Sequence, residues 1–454
     1  MATGPDIVAG RRDGERLAQD FTDLHPPLDD HEARVASERC LFCFDAPCVK
    51  ACPTEIDIPL FIRQISAENS EGAAKTILDS NIFGGMCARV CPTETLCEEA
   101  CVRMESEGKP VEIGRLQRHA TDALMASGRQ LYRQGPSTGS RIAVVGAGPA
   151  GLSCAHKLAT LGHQVVVYDS REKAGGLNEH GIASYKSVDN FAQKEIAWIL
   201  EVGGIEVRTG QRLGKEFKLS GLQHDYDAVF LGLGLQAVND LGIDTAPLSG
   251  VEDAVSFIEA LRQTNDLATL PIGRRVVVVC GGMTAIDAAV QAKKLGADEV
   301  TIVYRRGPEQ MAASRFEQEV ALTNGVVIRH WARPVAVKGE GGALTSVVFN
   351  RTRSEGGRLV DTGETFEIAA DQLFRAIGQL FLPTDIADER VSLDLEGGRI
   401  MVDAERRSSV PGIWAGGDCA AGGQDLTVVA VEDGKRAALS IDRAIRSSKQ
   451  IAAE

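Results

Sequence analysis

One pattern is written twice in this chain, and it constrains the fold more than any other feature. From Arg141 the sequence reads RIAVVGAGPAGLSCAHKLATLGHQVVVYDSREKAGG, and from Arg275 it reads RVVVVCGGMTAIDAAVQAKKLGADEVTIVYRR. Each is an apolar run of strand length, a glycine-containing turn, a helix-length stretch and a second apolar run. Each is later followed by an apolar run that ends in glycine, YDAVFLGLG at 226–234 and DQLFRAIG at 371–378. Strand–turn–helix–strand units of this kind build parallel sheets, so the repeat predicts two α/β Rossmann-like dinucleotide-binding domains in tandem. The late stretch GIWAGGDCAAGGQDLTVVAVEDGKRAALSIDRAI reads as strand, turn and helix. It is expected to complete the first domain, with the second inserted within it. The boundaries expected are 141–250 with 385–454 for the first domain and 251–384 for the second.

The first glycine turn carries G-x-G-x-x-G as Gly146, Gly148 and Gly151, directly after a strand and opening a helix. The first glycine permits the tight turn, the second lets backbone approach a pyrophosphate, and the third lets helix pack on strand. Asp169, at the end of the next strand, is expected to bond a ribose hydroxyl. The second turn is degraded. Cys280 stands where the first glycine is expected, followed by Gly281, Gly282 and Ala285. A cysteine fits that turn if its φ is negative. At the end of the following strand stand Arg305 and Arg306, where an acid would select NAD. Guanidinium groups there could pair with the 2′-phosphate of NADP, or be solvated charges at a strand end, so NAD against NADP stays open.

Residues 1–126 have a different character. IPLFIRQIS, SEGAAKTILDSN and EIGRLQRHATDALMA space apolar residues for helices, with no strand alternation. An α-helical domain is expected there, followed by a linker at 127–140 rich in Gly, Ser and Gln. Eight of the eleven cysteines fall within 40–101. The first run, CLFCFDAPCVKACP, is spaced C-x2-C-x4-C-x3-C, and the second, CARVCPTETLCEEAC, spans Cys87 to Cys101. Structural zinc favours paired C-x2-C knuckles, and only Cys40 and Cys43 make one. Cys-Pro closes the first run and recurs at Cys91-Pro92, as in iron–sulfur loops, so iron–sulfur is the expected chemistry. Cys154, Cys280 and Cys419 are isolated and read as small core residues, which argues against disulfide-reductase chemistry.

With 454 residues the chain exceeds one hydrophobic core, and a net charge of −14 argues against nucleic acid and anionic membrane as partners. The first twenty residues have no apolar core, so no signal peptide is expected, and clustered thiols suit a cytoplasmic setting. No side chain is assigned a catalytic role, because hydride transfer between nicotinamide and flavin needs positioning alone.

GAGPAGL followed by Gly175-Gly176 and a late AGGD resembles the two-dinucleotide flavoproteins, in which the first site holds FAD. The resemblance implies that Asp418, after Gly417, bonds the ribityl chain. Iron–sulfur, FAD and nicotinamide modules in that order resemble the glutamate synthase small subunit and the N-terminal half of dihydropyrimidine dehydrogenase. CLFCFDAPCVKACPTEIDI, MCARVCPTETLCEEAC and IGRLQRHA look like the second, over about residues 35 to 445. GGLNEHGIASYK looks like the separate bacterial subunit of that enzyme and adds Gly176, Leu177 and Lys186 as implied cofactor contacts. The resemblance implies that Cys40, Cys43, Cys48 and Cys101 hold one [4Fe-4S] cluster, and that Cys52, Cys91, Cys97 and Gln117 hold the other. Thiolate chemistry alone would prefer Cys87 to the Gln117 amide. The implied function is electron input: NADH or NADPH reduces FAD, and two clusters feed a partner chain bearing FMN and further iron–sulfur clusters, which reduces uracil or thymine. The rival readings are a glutamate synthase small subunit or another electron-transfer subunit, and a redox sensor or scaffold without turnover.

Overall fold

The computed structural model describes residue 12, residues 14–245 and residues 248–453. Residues 1–11 and 13 of the expected helical domain, residues 246–247 of the first nucleotide segment and residue 454 lie outside them.

The N-terminal part is helical, as the apolar spacing predicts: α1 (Gly14–Asp20), α2 (Asp30–Glu38), α3 (Pro47–Ala51), α4 (Ile58–Ser66), α5 (Ser70–Ser80), α6 (Gly84–Val90), α7 (Val102–Glu107) and α8 (Ile113–Ser127). Local chemistry sets these boundaries. Asp29 and Glu32 form a reciprocal cap on α2, and the Asp57 carboxylate accepts from Leu60 N at 3.0 Å with Pro59 in the first turn of α4. One stripe of α4, Ile58, Phe61, Ile62 and Ile65, is buried, which is what holds so short a helix in place.

The first repeat gives β1 (Arg141–Val145), α9 (Pro149–Thr160), β2 (Gln164–Tyr168), a short α10 (Leu177–His180), α11 (Phe191–Leu200), β3 (Ile205–Arg208), α12 (Leu219–Asp225) and β4 (Ala228–Leu231). Short strands β5 (Ala237–Val238) and β6 (Val251–Asp253) and helix α13 (Ala254–Gln263) follow. The second repeat gives β7 (Arg275–Val279), α14 (Met283–Leu295), β8 (Glu299–Val303), α15 (Arg315–Thr323) and β9 (Val327–Arg329). Three long strands, β10 (Ala332–Glu340), β11 (Ala343–Glu355) and β12 (Arg358–Ala369), form an antiparallel sheet that the sequence reading did not foresee. Then come β13 (Gln372–Arg375), β14 (Gln379–Leu380), β15 (Leu395–Glu396), β16 (Arg399–Ile400), β17 (Ile413–Ala415) and the long α16 (Thr427–Ala453).

The two repeats build two five-stranded parallel sheets, ordered β17-β4-β1-β2-β3 and β6-β13-β7-β8-β9. The central strands show why. RIAVV and RVVVV are buried at every position after the first, the mark of strands covered on both faces. Strand β17, which enters the first sheet beside β4, comes after every strand of the second sheet, so the later fold interrupts the earlier one.

Residues gather into two compact units whose limits differ from the expected ones. The smaller holds the described residues up to Leu24, with His180–Val188 and Val238–Gln379; the larger holds His25–Glu179, Asp189–Ala237 and Leu380–Glu454. In the smaller unit Leu17 and Phe21 join the core of the second sheet instead of the helical segment with which the sequence reading grouped them. In the larger unit the helical segment and the first sheet pack as one body. The stretch 127–140 is irregular but is pinned there: Gln134 N donates to Val202 O at 2.8 Å, and Trp198 Nε1 donates to Arg129 O at 2.9 Å. It therefore serves as packed structure, not as a free tether. Among the described residues no helix is long and apolar enough to cross a membrane.

Candidate functional site

The cysteines of the helical segment separate into two groups. Cys40, Cys43, Cys48 and Cys101 line one small cavity of ≈ 30 Å³, walled by Ile58, Ile62, Val111 and Ile113. Three come from the loop before and the start of α3, and Cys101 is the residue that precedes α7. Phe42 adopts a φ of +50° and turns its N–H onto Cys40 Sγ at 3.4 Å. Burial, with the charges of Cys101 and Cys40, pushes the Cys48 thiol up to about 12. Burial likewise raises Cys40, helped by Cys43 and Cys101.

The second group forms around Cys91. Its pKa is pushed well up by a hydrogen bond with Cys87, by burial, and by the charges of Cys87, Cys97 and Cys52. Burial also raises Cys97, with Glu98, Cys52 and Cys48 adding to it. The buried Gln117, on α8, donates through Nε2 to Gly84 O at 2.7 Å, which orients the amide. Thiols that raise one another in an apolar setting cannot all ionise unaided, and a cationic iron–sulfur core relieves that penalty. The donor set therefore fits two clusters.

At the first glycine turn the backbone is packed to its limit. Gly146 has a φ of +104°, and a methyl there would stand 2.1 Å from Gly232 O. A methyl on Gly151 would stand 1.8 Å from Gly146 O. Gly148, the residue before α9, is matched by Gly176 across the turn, where a methyl would meet Gly148 Cα at 2.8 Å. Asp169 sits at the end of β2 as expected, and its carboxylate accepts from Ala147 N at 2.7 Å and Arg171 N at 2.8 Å. It thus braces the glycine turn itself. Gly417 has a φ of +70°, and a methyl there would press on Ala150 at 3.0 Å, which puts Asp418 beside the start of α9. Burial, with Asp425 adding to it and Arg399 opposing, pushes the Asp418 carboxyl up to about 6. Glycines with no room for a side chain around a helix start make a cradle that fits a dinucleotide pyrophosphate.

The second turn departs from what the sequence reading required. Cys280 has a φ of +127°, not a negative one, so a residue with a side chain occupies backbone that favours glycine. Gly281 packs against the Tyr304 ring, with 2.8 Å to a would-be methyl, whereas Gly282, the residue before α14, faces open space. Ala285 is buried where the first turn has Gly151. The residue at the register of Asp169 is Tyr304: Asp169 N bonds Arg208 O, and Tyr304 N bonds Arg329 O. Arg305 and Arg306 follow it and are exposed. Their loop is fixed by backbone, with Trp331 N donating to Arg306 O at 3.2 Å and Thr352 Oγ1 to Arg305 O at 2.7 Å.

Two implied contacts are placed differently from one another. Leu177 is exposed in the larger unit. Lys186 lies in the smaller unit, its ammonium 2.8 Å from Asp287 on α14 and 3.0 Å from Glu317 on α15. Burial works against that charge, but the two carboxylates outweigh it and raise the pKa. The sequence reading singled out neither acid. It also passed over Asp433, which accepts from Gly417 N at 3.0 Å, and Glu195, treated below. A charged residue at a buried helix position was the available signal.

Residues 140–434 match the pyridine nucleotide-disulphide oxidoreductase family, and residues 17–129 match dihydropyrimidine dehydrogenase domain II, 4Fe-4S cluster. The chain is 35% identical over 407 residues to an NAD-dependent dihydropyrimidine dehydrogenase subunit PreT homolog of Salmonella typhi, covering 89% of this chain and 92% of that one. It is 32% identical over 443 residues to the glutamate synthase [NADPH] small chain of Escherichia coli, covering 92% and 93% respectively. Among solved structures, Mycobacterium tuberculosis FprA in complex with NADPH aligns over 70% of this chain and 86% of its own, with a TM-score of 0.58 and 21% identity. A T. acidophilum thioredoxin reductase aligns over 67% of this chain and 98% of its own, with a TM-score of 0.53 and 22% identity.

Proposed function

This chain belongs to the pyridine nucleotide-disulphide oxidoreductases that carry a dihydropyrimidine dehydrogenase-type 4Fe-4S domain, and on that premise we propose that it is the electron-input subunit of a dihydropyrimidine dehydrogenase. It is an NAD(P)-dependent flavin and iron–sulfur oxidoreductase. When bound, FAD accepts the hydride of a reduced nicotinamide, and [4Fe-4S] clusters carry the electrons onward singly. The chain's own residues hold and space these groups. Gly146, Gly148, Gly151 and Gly176 leave backbone open to a pyrophosphate, and Asp418 meets the flavin's ribityl chain. Gly281, Gly282 and Ala285 receive the nicotinamide nucleotide. Cys40, Cys43, Cys48 and Cys101 hold one cluster, and Cys52, Cys91, Cys97 and Gln117 the other.

The observation that carries the reading is the packing of both cysteine groups and the first glycine cradle into one compact unit. A relay needs fixed spacing between its carriers, and a shared core supplies it. The electrons leave to a partner chain that carries FMN and further clusters and reduces uracil or thymine. All eleven cysteines are free, in keeping with the reducing cytoplasm to which we assign the protein.

Co-expression with a neighbouring FMN-barrel protein is expected to give uracil-dependent oxidation of NADH or NADPH. Activity with a glutaminase-bearing partner and none with the barrel would favour the glutamate synthase reading, which the relative at 32% identity keeps in view. The ligand assignment has its own test. Gln117→Leu is expected to lose half of the iron and Cys87→Ala to keep it; iron lost only from the Cys87 variant would overturn the assignment.

A further inference from the structure

Glu195 on α11 is buried at 0% exposure, yet it belongs to neither glycine turn and to neither cysteine group. Its Oε1 accepts from Gly85 N at 2.8 Å and Met86 N at 3.1 Å, and Oε2 lies 3.2 Å from Met86 N. These two N–H groups open α6, the helix that carries Cys87 and leads into Cys91. The carboxylate comes from the nucleotide fold, about 110 residues further along the chain, so it ties that fold to the cysteine segment within the larger unit. The contact leaves no slack. A methyl on Gly85 would stand 2.5 Å from the Phe191 ring and 2.7 Å from Glu195 Oε1.

The neighbouring cation does not neutralise it by contact. Arg89 lies over the Phe191 ring at 3.4 Å and bonds Asp122 at 2.7 Å and Gly85 O at 3.0 Å. The charged groups facing Glu195 are therefore Arg89 from α6 and Asp122 from α8. Burial pushes its carboxyl up to about 8, against the pull of the Met86 hydrogen bond, Arg89 and the Gly85 hydrogen bond. A glutamine would satisfy the same two N–H groups without burying an acid.

We propose that Glu195 is a positioning residue for electron transfer: it fixes the first turn of α6 and, when ionised, places a negative charge near the redox centre held by Cys91, lowering that centre's reduction potential. The inference rests on the cluster reading above. From Met86 to Cys91 is about 7 Å of helix rise, close enough for a like charge to oppose an added electron in a buried setting.

The test is an EPR-monitored redox titration of the cofactor-loaded chain at pH 9, where the carboxylate is ionised, comparing wild type with Glu195→Gln and Glu195→Asp. The expected result is that Glu195→Gln raises one of two cluster midpoints and leaves the other, in the Cys40 cavity, unmoved. Glu195→Asp, which keeps the charge, is expected to stay with wild type. Glu195→Gln leaving both midpoints unmoved, or moving both alike, would overturn the proposal. So would Glu195→Asp matching Glu195→Gln, including the case in which both lose iron, because the role would then be shape alone. Wild-type protein that takes up no iron would instead sink the cluster reading itself.

Discussion

At the end of β1 the chain turns through Gly146 with a φ of +104°, and at the end of β7 Cys280 makes the matching turn at +127°. The hydrogen bonds around the two are equivalent: Gly146 N bonds Tyr168 O at 2.7 Å, and Cys280 N bonds Val303 O at 3.1 Å. What differs is the tolerance of the surroundings. In the first sheet a methyl on Gly151 would meet Gly146 O at 1.8 Å; in the second, Ala285 occupies that place and α14 begins at a Gly282 with open space around it. The first turn is thus closed tightly around backbone, and the second is built more loosely around side chains. A cofactor that stays bound suits the first, and a nucleotide that comes and goes suits the second.

The sharpest way to break this contrast is Gly146→Ala. It combines a backbone conformation that side chains rarely adopt with a methyl 2.1 Å from Gly232 O, a carbonyl of the adjoining strand end that has nowhere to move. A loss of about 3 kcal/mol or more is expected, with flavin lost from the purified chain. Bound FAD per chain, read from absorbance, checks it. Full flavin content in this variant would show that the first turn is no tighter than the second.

A second difference lies one helical turn along. His156 on α9 is buried with Nε2 unpartnered, and its ring meets Tyr132 edge-on at 5.1 Å. The matching residue of α14 is the fully buried Val290. Burial, with Lys157 adding to it, depresses His156 from 6.5 to about 4. A base depressed in the fold is protonated first in the unfolded chain. Stability is therefore full above the unfolded pKa and falls as pH drops from 6.5 toward 4. At pH 5 the loss is about 2 kcal/mol. His156→Leu is expected to remove most of the extra destabilisation between pH 7 and pH 5 in denaturant melts. An unchanged pH dependence would place the acid sensitivity elsewhere.

The repeat that defines both sheets was open to view in the sequence because parallel strands buried on both faces must be continuously apolar, and RIAVV and RVVVV are. The insertion of one fold in the other was equally open, since β17 needed a partner sheet. The antiparallel β10–β12 sheet was not. Its strands are only partly buried and mix charge with apolar residues, as in VVFNRTRSEGG, so no clean alternation marks them. Position along a strand end was also beyond reach: β2 ends at Tyr168 but β8 ends at Val303, one residue short of its tyrosine, so Tyr304, not Arg305, stands at the register of Asp169. The place of Glu195 on the apolar face of α11 was open to view, but its partners were not, because they are backbone N–H groups far away in sequence, and backbone has no sequence signature.

That displaced register gives the next test of the comparison. With Tyr304 filling the acid's place against Gly281, the exposed Arg305 and Arg306 are left free to meet a 2′-phosphate. Arg305→Ala and Arg306→Ala are each expected to raise KM for NADPH about tenfold, or about 1.4 kcal/mol, with KM for NADH little changed. Equal effects on both cofactors would assign the pair to general charge, and the nicotinamide choice to other residues.

The smallest effects probe the looseness of the second turn directly. Cys280→Gly removes the strain of a side chain at a φ of +127° but adds the entropy of glycine to the unfolded chain. A net gain of about 1 kcal/mol is expected, seen as a rise of about 2–4 °C in the melting of the smaller unit. Gly282→Ala, at a φ of −95° with nothing within 4 Å of the new methyl, is expected to cost only a few tenths of a kcal/mol, or about what a weaker helix cap costs. Its consequence for binding is the finer measure. If the nicotinamide pyrophosphate approaches the backbone at Gly282 as closely as the glycine motif implies, Gly282→Ala weakens nucleotide binding while the melt stays put. If both stay put, the second turn holds its ligand by side chains, and the likeness between the two turns ends at the strand.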